Sequence, residues 1–213
     1  LIIILVGLPG RGKTFLCNKL MCYLNWLGHE TRHFNVGQYR RAQARDGGGG
    51  GGGGSATTPA QREAQDAAFF DYRNPAGREA RERALAAALD DMEGWLAGAG
   101  GQVAIFDATN STASRRGALR ARFHGRWQYL FIESICNDPA VLELNYGFKL
   151  LYSPDYRGAP DPGAALADFR ARIAKYEEVY ETITDRGCHY IKLIDMVTGR
   201  GHMDVNRISG YIP

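Results

Sequence analysis

The chain opens on an unbroken apolar run, Ile2-Ile3-Ile4-Leu5-Val6. It is of strand length and lacks the polar alternation of a half-exposed strand, so it predicts a strand buried on both faces. Beyond Thr14 the period changes, and Leu16, Leu20, Leu24 and Leu27 recur at helical spacing. Residues 31–36 predict a short second strand that ends in a turn at Gly37, just before Gln38-Tyr39-Arg40-Arg41. A helix is predicted over 78–96, with Leu85, Ala88, Leu89, Met92 and Trp95 on one stripe and Gly98, Gly100 and Gly101 to stop it. Residues 103–106 predict another buried strand, which delivers Asp107 at its carboxyl end. A helix around 114–123 and a strand over 129–135 follow. After a Pro/Gly-rich stretch at 153–163, Leu166, Phe169, Ile173, Tyr176 and Tyr180 mark one more helix, and 190–194 one more strand. Strand and helix alternate throughout. The expected class is therefore α/β, a mainly parallel sheet with helices on both faces.

One segment breaks the pattern. Gly47 to Gly54 are eight consecutive glycines, followed by Ser55-Ala56-Thr57-Thr58-Pro59. Polyglycine buries no side-chain surface to offset its ordering entropy, and it lacks the fixed punctuation of a ligand-binding glycine loop. Residues 46–58 are accordingly read as a flexible surface insert within a single domain spanning 1–213.

Composition narrows the function classes. With 213 residues, 45% of them hydrophobic, the chain can build one sizeable core. A net charge of +3 does not point to a nucleic-acid partner. Cys17, Cys22, Cys136 and Cys188 show neither a C-x-x-C pair nor metal-ligand spacing, as expected for reduced thiols of a cytoplasmic protein. No run reaches membrane-spanning length, so no membrane partner is expected.

The most specific signal lies between the first strand and the first helix. Gly7-Leu8-Pro9-Gly10-Arg11-Gly12-Lys13-Thr14 fits G-x-x-x-x-G-K-[ST]. Its glycines let successive backbone N–H groups point inward, the helix N-terminus favours an anion, Lys13 reaches the outer phosphates and the Thr14 hydroxyl can hold Mg²⁺. Strand before and helix after are the context that motif requires, and they predict a P-loop NTPase fold. Asp107 ends an apolar strand, where a carboxylate can reach a Mg²⁺ on Thr14; the competing reading is a helix N-cap. Arg40, Arg41, Arg81, Arg115, Arg116 and Arg172 stand where the fold brings them near strand ends. Singly each reads as a solvated cation, and together they suggest a second, phosphorylated ligand. Arg172 and Tyr176 are four apart on one helix and can reach the same ligand. Lys149, unaided, reads as a solvated lysine, and Cys136 as a small buried hydrophobe. The chain carries no N-K-x-D guanine-reading motif, and its five histidines show no ligand spacing.

Seven segments in order add a resemblance: GLPGRGKT, YLNWLG (23–28), FNVGQYRR (34–41), VAIFDATNST (103–112), ESICNDP (133–139), SPDY (153–156) and DFRARIAKYEEVYE (168–181). They resemble the kinase domain of the 6-phosphofructo-2-kinase/fructose-2,6-bisphosphatase family nearly end to end, and the closing segment 205–213 is similar to its plant-type members. The resemblance implies ATP-dependent phosphorylation of fructose 6-phosphate at the 2-hydroxyl, with ATP and Mg²⁺ as cofactors, giving fructose 2,6-bisphosphate, a regulator of glycolysis and gluconeogenesis. By motif it implies that residues 7–15, ending at Phe15, hold the ATP phosphates together with Asn145 and Lys149. Thr109 and Arg115 would bind the sugar phosphate with Arg40, Arg81, Arg172 and Tyr176. Lys13, Asp107, Lys149 and Cys136 would form the catalytic set, and Thr14 and Asp107 would take the Mg²⁺. Two departures stand out. Asn145 and Lys149 are four apart where the family has five, and the glycine insert separates Arg40 from the helix bearing Arg81. The chain also lacks the R-H-G histidine motif, so the phosphatase half is absent; fusion to a phosphatase domain in the full protein is expected, and a homo-oligomer is left open. Two rival expectations remain, a P-loop kinase for another small metabolite and a nucleotide-binding regulatory module with weakened turnover.

Overall fold

The expected architecture is present in the computed structural model, which describes residues 1–46, 65–98 and 100–208. Strands β1 (Ile2–Val6), β2 (Thr31–Asn35), β3 (Val103–Asp107), β4 (Tyr129–Ile135), β5 (Tyr190–Ile194) and β6 (His202–Asn206) form one sheet in the order β2-β3-β1-β4-β5-β6. The first five are parallel and β6 runs antiparallel to β5. From β1 the chain moves past β3 to β2, and from β3 it crosses β1 to β4. That reversal opens a crevice at the carboxyl end of β1, where ligands of such sheets sit.

The apolar run in β1 is explained by packing on both sides. Ile2, Ile4 and Val6 join one core with Ala88, Leu89 and Met92 of α3 (Pro75–Ala97) and Leu119 and Phe123 of α4 (Ala113–Phe123). Ile3 and Leu5 face the other core with Cys17 of α1 (Lys13–Trp26), where Leu16, Leu20 and Leu24 pack against them. A third, smaller cluster of Tyr146, Tyr156, Phe169 and Ile173 joins α5 (Pro139–Tyr152) to α6 (Pro162–Glu177). Its Tyr146 and Phe169 rings pack against Gly10, where a Cβ would stand 2.8 Å and 3.5 Å from them.

Several boundaries differ from expectation. Residue 37 is not a turn: α2 (Val36–Asp46) begins directly at the end of β2, so Arg40 and Arg41 sit on a helix. The helix marked by Leu166 ends at Glu177, and Tyr180 lies beyond it, its hydroxyl donating to the buried carboxylate of Glu133. The helix α5, the edge strand β6 and a 3₁₀ turn at Ala67–Phe70 were not expected from periodicity. The glycine tract 47–54 and residues 209–213 lie outside the described residues. All four cysteines are free. No helix among the described residues is long and apolar enough to cross a membrane.

Candidate active site

The turn from β1 to α1 is shaped by its glycines. Gly7, Gly10 and Gly12 hold φ of 139°, 75° and 79°, in a region that side chains rarely adopt. At Gly7 a Cβ would also stand 2.5 Å from the carbonyl oxygen of Ser134. Gly12 precedes α1 as a left-handed cap with no side-chain cap bond, which leaves the first amides of the helix to an anion. The outside of the loop is fixed. The Gly7 amide donates to the Thr109 carbonyl at 2.9 Å, the Ser134 hydroxyl donates to the Arg11 carbonyl, and Arg11 donates to the Tyr146 hydroxyl at 3.0 Å. Lys13 is buried, with Nζ donating to the Leu8 carbonyl at 2.7 Å. Burial lowers its ammonium to about 8, against the pull of Asp107 and with a push from Lys149. Leu8, Pro9 and Phe15 complete the segment, Phe15 being exposed with the Lys19 ammonium over its ring.

Asp107 sits at the end of β3 and is 4% exposed. Its Oδ2 accepts from Thr14 Oγ1 at 2.8 Å and Asn35 Nδ2 at 2.7 Å, and meets His33 Nε2 at 3.1 Å. Burial alone would raise this carboxyl, but His33, Lys13 and Thr14 outweigh it and hold Asp107 below the usual carboxylate range. The competing N-cap reading has no place, because Thr112 caps α4 by accepting from the Arg115 amide at 3.1 Å. A charged carboxylate beside the hydroxyl that follows the loop lysine is a hard oxygen pair, the donor type Mg²⁺ prefers.

A second cluster lies across the crevice. Asp155 accepts from Arg40 at 2.9 and 2.8 Å, from Arg41 at 3.2 Å and from Arg172 at 3.0 Å. The Phe70 ring faces two of these guanidiniums, with Cζ of Arg172 3.6 Å and Cζ of Arg40 5.0 Å from its centre, and Tyr176 lies 6.1 Å away. Burial lowers Arg40 to about 10, with Arg172 and Arg41 adding to it and Asp155 opposing. Asp155 is held far below its ordinary value because the three arginines overwhelm its burial. Nε of Arg172 is buried and finds no hydrogen-bond partner among the described residues. Three positive charges against one leave this cluster with an electrostatic preference for a further anion, such as a phosphate dianion.

Lys149 joins the two halves. The position read as a solvated lysine is half-buried, and its ammonium falls to about 8, first through burial and then through repulsion from Arg172 and Arg41. Asp155 and Asp107 act on it in the opposite sense. Asn145 stands one turn earlier on α5, where a spacing of four puts both residues on one face.

The remaining residues are placed as follows. Arg81 bonds the Phe69 carbonyl, lies over the Phe69 ring and is acted on by Tyr176 and Arg172, so it flanks the arginine cluster. Arg115 instead pairs with Glu82 in a groove between α3 and α4. Arg116, an equal candidate from sequence, is buried and braces the carbonyl of Asn110 at 3.1 Å. Cys136 follows β4 half-buried, not buried as the sequence suggested, and burial raises its thiol, which keeps it protonated at neutral pH. Asp155, Phe70, His33 and Asn35 were not singled out from sequence, although Asp155 lies in SPDY and Asn35 in FNVGQYRR.

Comparison with known proteins fits this geometry. A family model described as 6-phosphofructo-2-kinase matches residues 1–213. The chain is 47% identical over 214 residues to a 6-phosphofructo-2-kinase/fructose-2,6-bisphosphatase of Arabidopsis thaliana, covering 100% of this chain and 26% of that protein. It is 40% identical to the Gallus gallus protein of the same description, and 39% identical to 6-phosphofructo-2-kinase/fructose-2,6-bisphosphatase 4 of Homo sapiens. Each of those alignments covers 99% of this chain and 41% of the relative. The chain thus spans between about a quarter and two-fifths of the length of these relatives.

Proposed function

The chain belongs to the 6-phosphofructo-2-kinase family, and from that premise we propose that it transfers the γ-phosphoryl group of ATP to the 2-hydroxyl of fructose 6-phosphate. The new bond joins O2 of the sugar to the γ-phosphorus, the bond from that phosphorus to the β,γ-bridging oxygen breaks, ADP leaves and the hydroxyl proton passes to solvent. The product, fructose 2,6-bisphosphate, is a regulator of sugar breakdown and synthesis.

In this reading Gly7 to Phe15 cradle the ATP phosphates, with Lys13 on the outer ones and Asn145 on the nucleotide from α5. Thr14 and Asp107 would hold Mg²⁺, which supplies neutralisation of charge on the β- and γ-phosphates. The ionised Asp107 and its hydroxyl partner are the observation that fits the ion. Arg40, Arg172, Tyr176 and the flanking Arg81 take the 6-phosphate, Thr109 lies on the sugar side, Arg115 would join it only on leaving Glu82, and Lys149 lies at the transferred phosphate. Cys136 borders the site as a protonated thiol. The chemistry is mostly positioning and charge stabilisation, which a loose transition state requires more than a strong base.

The observation that carries the proposal is the Thr14–Asp107 pair at 2.8 Å beside the glycine loop, together with the Arg40, Arg41 and Arg172 guanidiniums gathered at 2.8–3.2 Å on Asp155. The arginine cluster on Asp155 suits a phosphorylated acceptor, and the family suggests its identity. The chain is further proposed to be the kinase unit of a cytoplasmic bifunctional protein that also carries a phosphatase domain. A panel of acceptors tests the substrate. ADP release should require fructose 6-phosphate and be far slower with unphosphorylated fructose or glucose 6-phosphate. Equal turnover of another acceptor would assign the site to a different metabolite, and tight nucleotide binding without any turnover would make it a regulatory module.

A further inference from the structure

Beside the Thr14–Asp107 pair lie two donors that the proposed transfer does not use, Cys17 and His33, and they converge on Asp107 itself. Cys17 stands one turn past Thr14 on α1, His33 on β2 and Asp107 at the end of β3. Their sulfur, nitrogen and oxygen atoms all lie within 4.8 Å of one another. Two of them already touch, His33 Nε2 and Asp107 Oδ2 being 3.1 Å apart. Cys17 is fully buried, and the His33 side chain is 10% exposed.

We propose that Cys17, His33 and Asp107 form a three-ligand site for zinc or a similar borderline transition-metal ion, sharing Asp107 with the Mg²⁺ position. Magnesium favours six hard oxygens in an octahedron, whereas thiolate, imidazole and carboxylate suit a tetrahedral zinc with a fourth position open to water. Metal–ligand bonds of about 2.0–2.3 Å set tetrahedral donors roughly 3.3–3.8 Å apart. Donors that lie within 4.8 Å of one another reach that spacing by drawing together by at most about 1.5 Å. On binding, the Cys17 S–H bond breaks, its proton passes to solvent and the sulfur–metal bond forms. His33 binds through Nε2 as the neutral imidazole and keeps its other N–H. One thiolate and one carboxylate then balance the two positive charges, which offsets repulsion from Lys13 and Lys149 nearby. Occupancy draws Asp107 Oδ2 away from Thr14 and Asn35, so the ion antagonises Mg²⁺-dependent nucleotide use.

Cobalt(II) titrated into the metal-free full chain tests this directly. One equivalent should produce a thiolate-to-cobalt charge-transfer band in the near ultraviolet with tetrahedral visible bands, and zinc should displace it where millimolar Mg²⁺ does not. Cys17→Ser should remove the charge-transfer band, and His33→Gln should weaken zinc binding at least about tenfold. If Cys17→Ser fails to fold, Cys17→Ala and His33→Gln carry the same comparison. A band that survives loss of Cys17 places the metal on Cys22, Cys136 or Cys188 and overturns the proposal, as does unchanged zinc affinity in the His33 variant. Calorimetry of ADP on the same preparation separates this outcome from the kinase reading: intact nucleotide binding without a cobalt band sinks the metal site alone.

Discussion

Replacing Asp155 by Asn keeps the shape of the side chain and removes the charge at which Arg40, Arg41 and Arg172 meet. The three guanidiniums lie within 2.8–3.2 Å of its oxygens, and all four side chains are at most 16% exposed. At an effective dielectric of about 20, each unit pair about 4 Å between charge centres attracts by about 4 kcal/mol. Three such pairs give about 12 kcal/mol gross, and most of it is offset by the cost of burying the carboxylate. Breaking buried pairs of this kind costs ~3–5 kcal/mol net. In a chain of 213 residues that lowers the melting temperature by roughly 6–20 °C. Thermal and urea unfolding in phosphate-free chloride buffer measure it. The sign with pH follows from the depressed folded pKa of Asp155. Its contribution is present above the unfolded value of about 3.9 and is lost as pH falls through the lower folded value. The gap between wild type and variant should therefore hold from neutral pH down to about 4 and narrow only in stronger acid. Inorganic phosphate should stabilise the variant more than the wild type, since it faces one more uncompensated positive charge. An Asp155→Asn protein within about 1 kcal/mol of wild type, with no added response to phosphate, would refute the picture of a carboxylate holding three arginines for an incoming anion.

Lys13→Met preserves the bulk of a buried stem and should cut turnover by about 10²–10³-fold or more with unchanged far-ultraviolet circular dichroism, because it removes the cation that follows the transferred charge. Arg172→Gln should raise KM for fructose 6-phosphate about 10–100-fold, as expected for losing a charged hydrogen bond of ~1.5–3 kcal/mol, while KM for ATP changes little. Equal shifts on both substrates would remove Arg172 from the sugar site. Lys13 and Lys149 are lowered to about 8. Both are charged below that value and neutral above it, so the free enzyme should lose ATP affinity as pH rises through about 8 and take up protons on binding near pH 8–9. Calorimetry in buffers of different ionisation enthalpy reads that uptake. The same shifts make folding stability rise between about 8 and 10.5, where the unfolded chain binds more protons.

The legible parts of the sequence were those in which one pattern admits one structure. The run Ile2–Val6 is apolar on both faces because cores lie on both sides of β1, and the spaced glycines before Lys13-Thr14 encode a loop only such residues can trace. The helix α5 was missed because Leu142, Leu144, Phe148, Leu150 and Leu151 leave no clean stripe and only Tyr146 is buried. Its start is nonetheless marked, since Asp138 caps it and Pro139 occupies the first turn. The strand β6 was missed because it is an edge strand with no fully buried residue, so alternation is weak. Lys149 misled for a related reason. A half-buried lysine repelled by Arg172 and Arg41 has the same one-dimensional surroundings as a solvated one, and only the fold reveals the difference. Asp155 escaped because an acidic residue in a Ser-Pro-Asp-Tyr turn reads as a loop residue until Arg40, Arg41 and Arg172 arrive from two other helices.

The central claim is that one crevice holds a nucleotide triphosphate and a phosphorylated sugar on either side of Lys149. Phosphorus NMR of the purified chain with ATP, Mg²⁺ and fructose 6-phosphate tests it most directly. The account predicts ADP appearing in step with a sugar carrying two phosphorus signals, one on C2 and one on C6, and neither with Lys13→Met. A folded, ATP-binding chain that leaves fructose 6-phosphate with its single signal would contradict it.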